Sequence, residues 1–260
     1  DQRWQRAITD PQTAPAVGDD VLVVTTREDT RALDAASGEE LWTRSELGGG
    51  VFDAAPVIAD GIVYVQRGVA THALTLATGE TRWRVPTGLS SSSTPAITDE
   101  TVYTAGDDTY VRALAVSDGT ERWRVKTNAR IRCNVAVADE TVIIGTEAGD
   151  VLALDTDTGT ERWRHHLAPR QSGDQSRPER PETIATDGSR VYVATGTTLV
   201  TLAIGDGTRC WRTRSYQGGY ASSVAVGSGK VFAPTSGREV ALTAFDASTG
   251  EVDRRLTGEG

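Results

Sequence analysis

Methionine is absent from this 260-residue chain, lysine occurs only at Lys126 and Lys230, and aromatic residues make up 6%. A core must therefore be assembled mainly from Val, Leu, Ile and Ala. No apolar run approaches the roughly 18 residues that a bilayer-crossing helix requires, so no transmembrane segment is expected in this chain. No window of eleven or more residues carries a helical apolar stripe, which argues against helical and α/β architectures. Cys133 and Cys210 lie far apart and belong to no CxxC or Cys/His cluster, so neither a disulfide framework nor a thiolate metal site is expected. A signal sequence is also missing, and the first residue is Asp1. That fits a mature form or a fragment, and leaves a membrane tether through a missing N-terminus open.

Positive charge is in short supply. The 27 Lys and Arg face 36 Asp and Glu, a formal net charge of -9 with a pI near 4.9. Such a field repels a nucleic-acid backbone, so nucleic acid is not an expected partner.

What the chain does have is a repeat. Trp42, Trp83, Trp123, Trp163 and Trp211 recur about every 40 residues, each four residues after a glycine. Those glycines, Gly38, Gly79, Gly119, Gly159 and Gly207, follow Ser, Thr or Asp, the composition of a tight turn. Six residues before each glycine stands Ala32, Ala73, Ala113, Ala153 or Thr201, and a sixth copy pairs Ala244 with Gly250. Between the turns run short β-branched segments such as "IVYV" (62–65), "TVYT" (101–104) and "TVII" (141–144), each after an Asp- or Gly-containing turn. Four short strands in about 40 residues are the signature of a β-propeller blade. The expected fold is all-β, with six repeats of four antiparallel strands in one domain over 1–260. "DQRWQR" (1–6) reads as an isolated outer strand. Trp4, Trp42, Trp83, Trp123, Trp163 and Trp211 are expected to dock blade on blade, with the alanine of the next repeat as receiver.

The pattern P-A-x-x-D-x-x-V-Y-x-x-x-D-x-x-x-x-A-L-x-x-x-[ST]-G-x-x-x-W, best matched by 95–123 and 135–163, resembles the PQQ-like propeller repeat. That repeat occurs in quinoprotein dehydrogenases and in BamB, a non-catalytic propeller lipoprotein of the outer-membrane assembly machinery. The resemblance implies a non-catalytic binding scaffold outside the cytoplasm with no cofactor, and the arginine-bearing loops add a protein partner or an anionic small ligand as what it binds. It also implies two alternatives: a fragment of a quinoprotein dehydrogenase using PQQ with calcium, or the sensor domain of a larger receptor or kinase. The quinoproteins grip PQQ with a tryptophan and a disulfide of adjacent cysteines. Cys133 and Cys210 do not match that clamp, so no catalytic, cofactor or metal residue is carried over.

Closure admits two readings. Trp4 completes the last blade and 251–260 are tail, or the chain is truncated from a parent of seven or eight blades. Family members usually have seven or eight, which favours truncation. "DTDTG" (155–159) departs from a calcium loop and reads as a turn, and adjacent His165 and His166 point to opposite faces of a strand. The loops joining blades and the second and third strands form the more basic set. Arg130, Arg132, Arg177 and Arg180, beside the long polar insertion 168–182, make the candidate binding face for carboxylates or phosphates.

Overall fold

The computed structural model describes residues 4–48, 54–88, 93–167, 179–196, 198–214, 223–235 and 241–257. Among them there are 24 strands and no helix. Blade 1 is β1 (Ala16–Gly18), β2 (Val21–Thr25), β3 (Thr30–Asp34) and β4 (Glu40–Arg44). Blade 2 is β5 (Val57–Ala59), β6 (Ile62–Arg67), β7 (Ala70–Thr75) and β8 (Thr81–Pro86), and blade 3 is β9 (Ala96–Ile97), β10 (Thr101–Ala105), β11 (Tyr110–Ala115) and β12 (Glu121–Lys126). Blade 4 is β13 (Ala136–Ala138), β14 (Thr141–Gly145), β15 (Asp150–Asp155) and β16 (Glu161–His166). Blade 5 is β17 (Pro181–Thr186), β18 (Arg190–Thr195), β19 (Thr198–Ala203) and β20 (Arg209–Arg214), and blade 6 is β21 (Ala225–Gly227), β22 (Lys230–Thr235), β23 (Ala241–Asp246) and β24 (Val252–Thr257).

Every blade is an antiparallel meander in chain order. Blades 1–3 lie in one compact unit, Asp1–Arg132, and blades 4–6 in a second, Cys133–Gly260. The turns between first and second strands explain the Asp residues that precede the β-branched runs. Asp60 and Gly61 both take positive φ, 48° and 68°, which matches the twist of a two-residue hairpin. Asp19 and Asp20 do the same without glycine, since a short side chain that bonds locally tolerates this conformation.

Core side chains sit between successive blades of a unit. Val23, Ala32 and Trp42 of blade 1 pack with Val63, Val65 and Leu74 of blade 2. Tyr64, Ala73 and Trp83 meet Val102 and Leu114 of blade 3. In the second unit Tyr192, Ala194 and Leu199 meet Val231, Ala233 and Phe245. Alternation along the central strands supplies both faces of each blade, which is why β6, β10 and β14 are buried along their whole length.

Two expectations need correction. Most of the expected tail 251–260 is strand: β24 (Val252–Thr257) pairs with β23 and is blade 6's own fourth strand, while 258–260 lie outside the described residues. Residues 181 and 182 of the expected insertion loop already belong to β17, which registers against β18.

Candidate functional site

The repeated tryptophans come first, because they set where everything else stands. Ala32 is opposite Trp42 in its own sheet, as Ala73 is opposite Trp83 and Ala153 opposite Trp163. The alanine is thus a cross-strand partner that leaves room for the indole, not the receiver in the next blade. The receiver is the turn glycine. Trp42 lies on Gly79, Trp83 on Gly119, Trp163 on Gly207 and Trp211 on Gly250. Each indole N–H also donates to the carbonyl three residues before that glycine: Leu76 at 2.7 Å, Val116 at 2.9 Å, Ile204 at 2.7 Å and Ala247 at 3.0 Å. Trp4 treats blade 1 in the same way, lying on Gly38 and donating to Ala35 at 3.0 Å. The glycine is needed twice over, for φ near +70° and for the flat approach of a ring.

The basic loops are held by their own carboxylates. Arg132 grips Asp107 through two bonds of 3.0 Å, and Arg130 comes within 4.0 Å of the same carboxylate. Arg130 keeps 55% of its side chain exposed. In the second unit Arg180 pairs with Glu147 at 3.2 Å and is half exposed. Arg177 lies outside the described residues. Arg130 with Arg132 and Arg180 therefore stand in different units, each on a loop that leads into the next blade and each paired with a carboxylate on a hairpin between second and third strands.

Arg67, another arginine of this loop set, is fully buried. Its guanidinium donates to Gly48 O at 2.8 Å, Thr26 O at 2.9 Å and Asp29 O at 2.8 Å, lacing the β2–β3 hairpin to blade 2. Beside it, Arg31 binds Asp29 through bonds of 2.7 and 2.6 Å. That pairing holds the Asp29 carboxyl below its usual range. Nothing in the local sequence separates Arg67 from its exposed counterparts; only the packing of two blades does.

The remaining reactive side chains are dispersed. Cys133 is buried, donates to Gly145 O, and has its thiol pushed up to about 12 by burial. Cys210 is exposed on β20. His166 accepts or donates at Nδ1 to the buried Asp150 at 2.7 Å, while His165 points to the other face of β16. "DTDTG" is a turn: Asp155 accepts from the N–H of Asp157 and Thr158 and pairs with Arg162 at 2.6 Å. Among the described residues no group of three or more His, Cys, Asp or Glu is placed to hold a metal ion, and no helix is long and apolar enough to cross a membrane.

Comparison with known proteins adds the frame. The family described as outer membrane protein assembly factor BamB matches residues 26–180 and 174–257. No curated protein sequence matches the chain. Among solved structures, BamB from Moraxella catarrhalis is 19% identical with a TM-score of 0.77, over 98% of this chain and 78% of that one. The computationally designed Ika8 protein is 17% identical with a TM-score of 0.79, over 95% of this chain and 74% of its own. Quinohemoprotein alcohol dehydrogenase from Comamonas testosteroni is 14% identical with a TM-score of 0.74, but this chain spans only 61% of its length. For alcohol dehydrogenase ADHIIG from Pseudomonas putida the share is 42%. At these identities the likeness establishes the fold, a β-propeller of four-stranded blades.

Proposed function

The chain belongs to the family of the outer membrane protein assembly factor BamB, and from that premise we propose that it is a non-catalytic propeller scaffold that binds protein partners outside the cytoplasm. The observation that carries this reading is how the repeat divides its residues. Positions shared by the blades are spent on packing, turns and indole docking. The positions that differ are charged side chains where blade-joining loops meet hairpin ends, such as Arg130 with Asp107 and Arg180 with Glu147. Rigid repeats with individual loops suit recognition, because loops carry specificity while the scaffold fixes their geometry. Exposed guanidinium groups suit carboxylate partners.

The test is to change Arg130, Arg132, Arg177 and Arg180 to Ser and compare the folded variant with the parent against a partner recovered by crosslinking. Weakened binding that also falls with added salt is expected, because exposed charges are screened over about 10 Å at 0.1 M. Unchanged affinity would remove these arginines from the binding face.

The likeness to quinohemoprotein dehydrogenases favours a second reading, a quinoprotein fragment. The residues present do not fit pyrroloquinoline quinone. Cys133 is buried against Gly145 in blade 4 and Cys210 is exposed on blade 5, so no cysteine pair is available to clamp the quinone ring. Titration with PQQ and calcium is expected to give neither tight binding nor dye-linked turnover of an alcohol or aldose. Turnover would reverse the ranking of the two readings.

A further inference from the structure

The fourth strands form the open edge of every sheet, with no strand beyond them in the sheet order. In an acidic chain they are the basic part. β4, β8, β12, β16, β20 and β24 together hold thirteen of the 27 Lys and Arg and only four of the 36 Asp and Glu. Sheet edges present unpaired N–H and C=O groups, and like charges along them keep two copies of a protein from pairing edge to edge. The same charges admit a strand of opposite sign.

Three of these edges in neighbouring repeats differ in a telling way. In blade 3 the Thr127 N–H donates to Thr109 O at 2.8 Å, and Lys126 stands opposite Tyr110. Antiparallel alternation then turns the main-chain groups of Val125 toward β11 and those of Arg124 and Lys126 toward the open side. The residues whose backbone is free to pair are thus the ones that bear the cations. In blade 2 the equivalent bond runs from Thr87 N–H to Val69 O, which turns Arg84 and Pro86 outward. Pro86 has no N–H to give, so that edge is blunted. In blade 4 the corresponding side chains are already paired. Arg164 binds Glu161 at 2.6 Å and Asp150 at 3.2 Å, and His166 binds Asp150 at 2.7 Å. Blade 3 has Tyr110 where blade 4 has Asp150. Arg124 accordingly rests over the Tyr110 ring at 5.7 Å, lies 3.7 Å from Glu121, and leaves 61% of its side chain exposed. Lys126 is exposed as well.

We propose that the open edge of β12 docks an extended acidic peptide of a partner protein, which adds to blade 3 as a fifth antiparallel strand with carboxylates opposite Arg124 and Lys126. The proposal rests on the scaffold reading in taking the partner to be a protein. Main-chain bonds would supply the attachment, and opposite charges directly across the strand pair would supply the choice of partner. Like charge excludes this protein's own fourth-strand edges as occupants.

The probe is a short fluorescent peptide with Glu at alternate positions and Val or Thr between them, followed by anisotropy at low and high salt. Saturable binding is expected, and a counterpart with Lys for every Glu should not bind. Lys126→Pro places blade 2's own residue at the same register and removes the outward N–H. It should weaken binding about tenfold, whereas Lys126→Gln, which removes only charge, should weaken it about two- to fivefold. An unchanged circular dichroism spectrum and denaturation midpoint would show that Lys126→Pro is folded. Should it unfold, the wild-type protein with a peptide N-methylated at its edge-facing amides gives the same answer, and binding should be lost. Equal losses in the Pro and Gln variants, undiminished binding of the N-methylated peptide, or equal binding of the Lys peptide would each overturn strand addition. None of these outcomes touches the partner assay with the four arginines changed to Ser, so the two proposals fail separately.

Discussion

At the residue scale the decisive pair is one indole and one Cα. A Cβ on Gly79 would stand 2.7 Å from Trp42 Cδ2, on a backbone already at φ +70°. Gly79→Ala should therefore cost about 2–5 kcal/mol in urea unfolding, combining left-handed strain with overpacking. Gly61 is the control: its φ is +68°, but nothing lies within 4 Å, so Gly61→Ala should cost only about 1–2 kcal/mol. Equal losses would mean that the ring contact contributes nothing. Trp42→Ala should cost about 3–5 kcal/mol, the range for deleting a buried large aromatic. Trp42→Phe should lose about 1–3 kcal/mol, since Leu76 O is left without its 2.7 Å donor. The spacing of glycine and tryptophan was plain in the sequence. Which small residue received the ring was not, because Ala and Gly recur with the same period and only the strand register distinguishes a partner in the sheet from a receiver across the junction.

At the element scale, strand positions were legible because β-branched runs alternate with Asp/Gly turns, and each blade repeats the evidence. Contacts that join one element to the next were not legible. Asn134 is the clearest case. Its side-chain amide behaves as a piece of strand beside β17, accepting from Ile184 N–H at 2.9 Å and donating to Ile184 O at 2.7 Å. It accepts from Thr183 Oγ1 at 3.1 Å as well. A lone Asn in a loop carries no periodic signal that could announce this. Asn134→Ala should lower unfolding stability by about 2–3 kcal/mol, the loss of two or three bonds around buried groups. Asn134→Asp should do no better, because a carboxylate cannot donate to Ile184 O. An Asp variant as stable as the parent would show that the amide pairing is dispensable.

At the scale of the whole molecule, the charge excess was readable from composition and its acids from the turn signals, but the gathering of basic residues on the sheet edges needed the strand order. The response to acid follows from single buried groups. His72 is buried, and burial, with Arg84 opposite it and Arg67 nearby, pulls its pKa down to about 4. Its folded value is thus below the unfolded one of about 6.5. Between those limits the unfolded chain binds a proton that the folded chain refuses. Stability should therefore fall with falling pH through that window, by about 1.4 kcal/mol per unit at most, and His72 should add no further loss below it. His72→Leu borrows Leu152 from the same register of blade 4, and should flatten the slope between pH 6.5 and 4 in urea titrations. A slope retained in the variant would assign the acid response elsewhere. Asp29 works in the other direction of shift: Arg31 depresses it, so its contribution is full above the ordinary carboxylate range and disappears as pH falls through its lowered value.

The junction between blades also bears on how such a chain changes length over generations. Blades 2 and 5 each carry one indole for the neighbour that follows and one bare Cα for the neighbour that precedes. A stretch of about 40 residues copied from any point of the repeat to the same point in the next one inherits one of each. Tandem duplication would then create a new seam whose halves already match, with no second mutation required, and deletion of a unit would close the gap just as cleanly. The junction chemistry by itself therefore does not fix the number of blades. Blade 6, with Arg254 opposite Ala244 where the indole belongs, is the copy least suited to be the template.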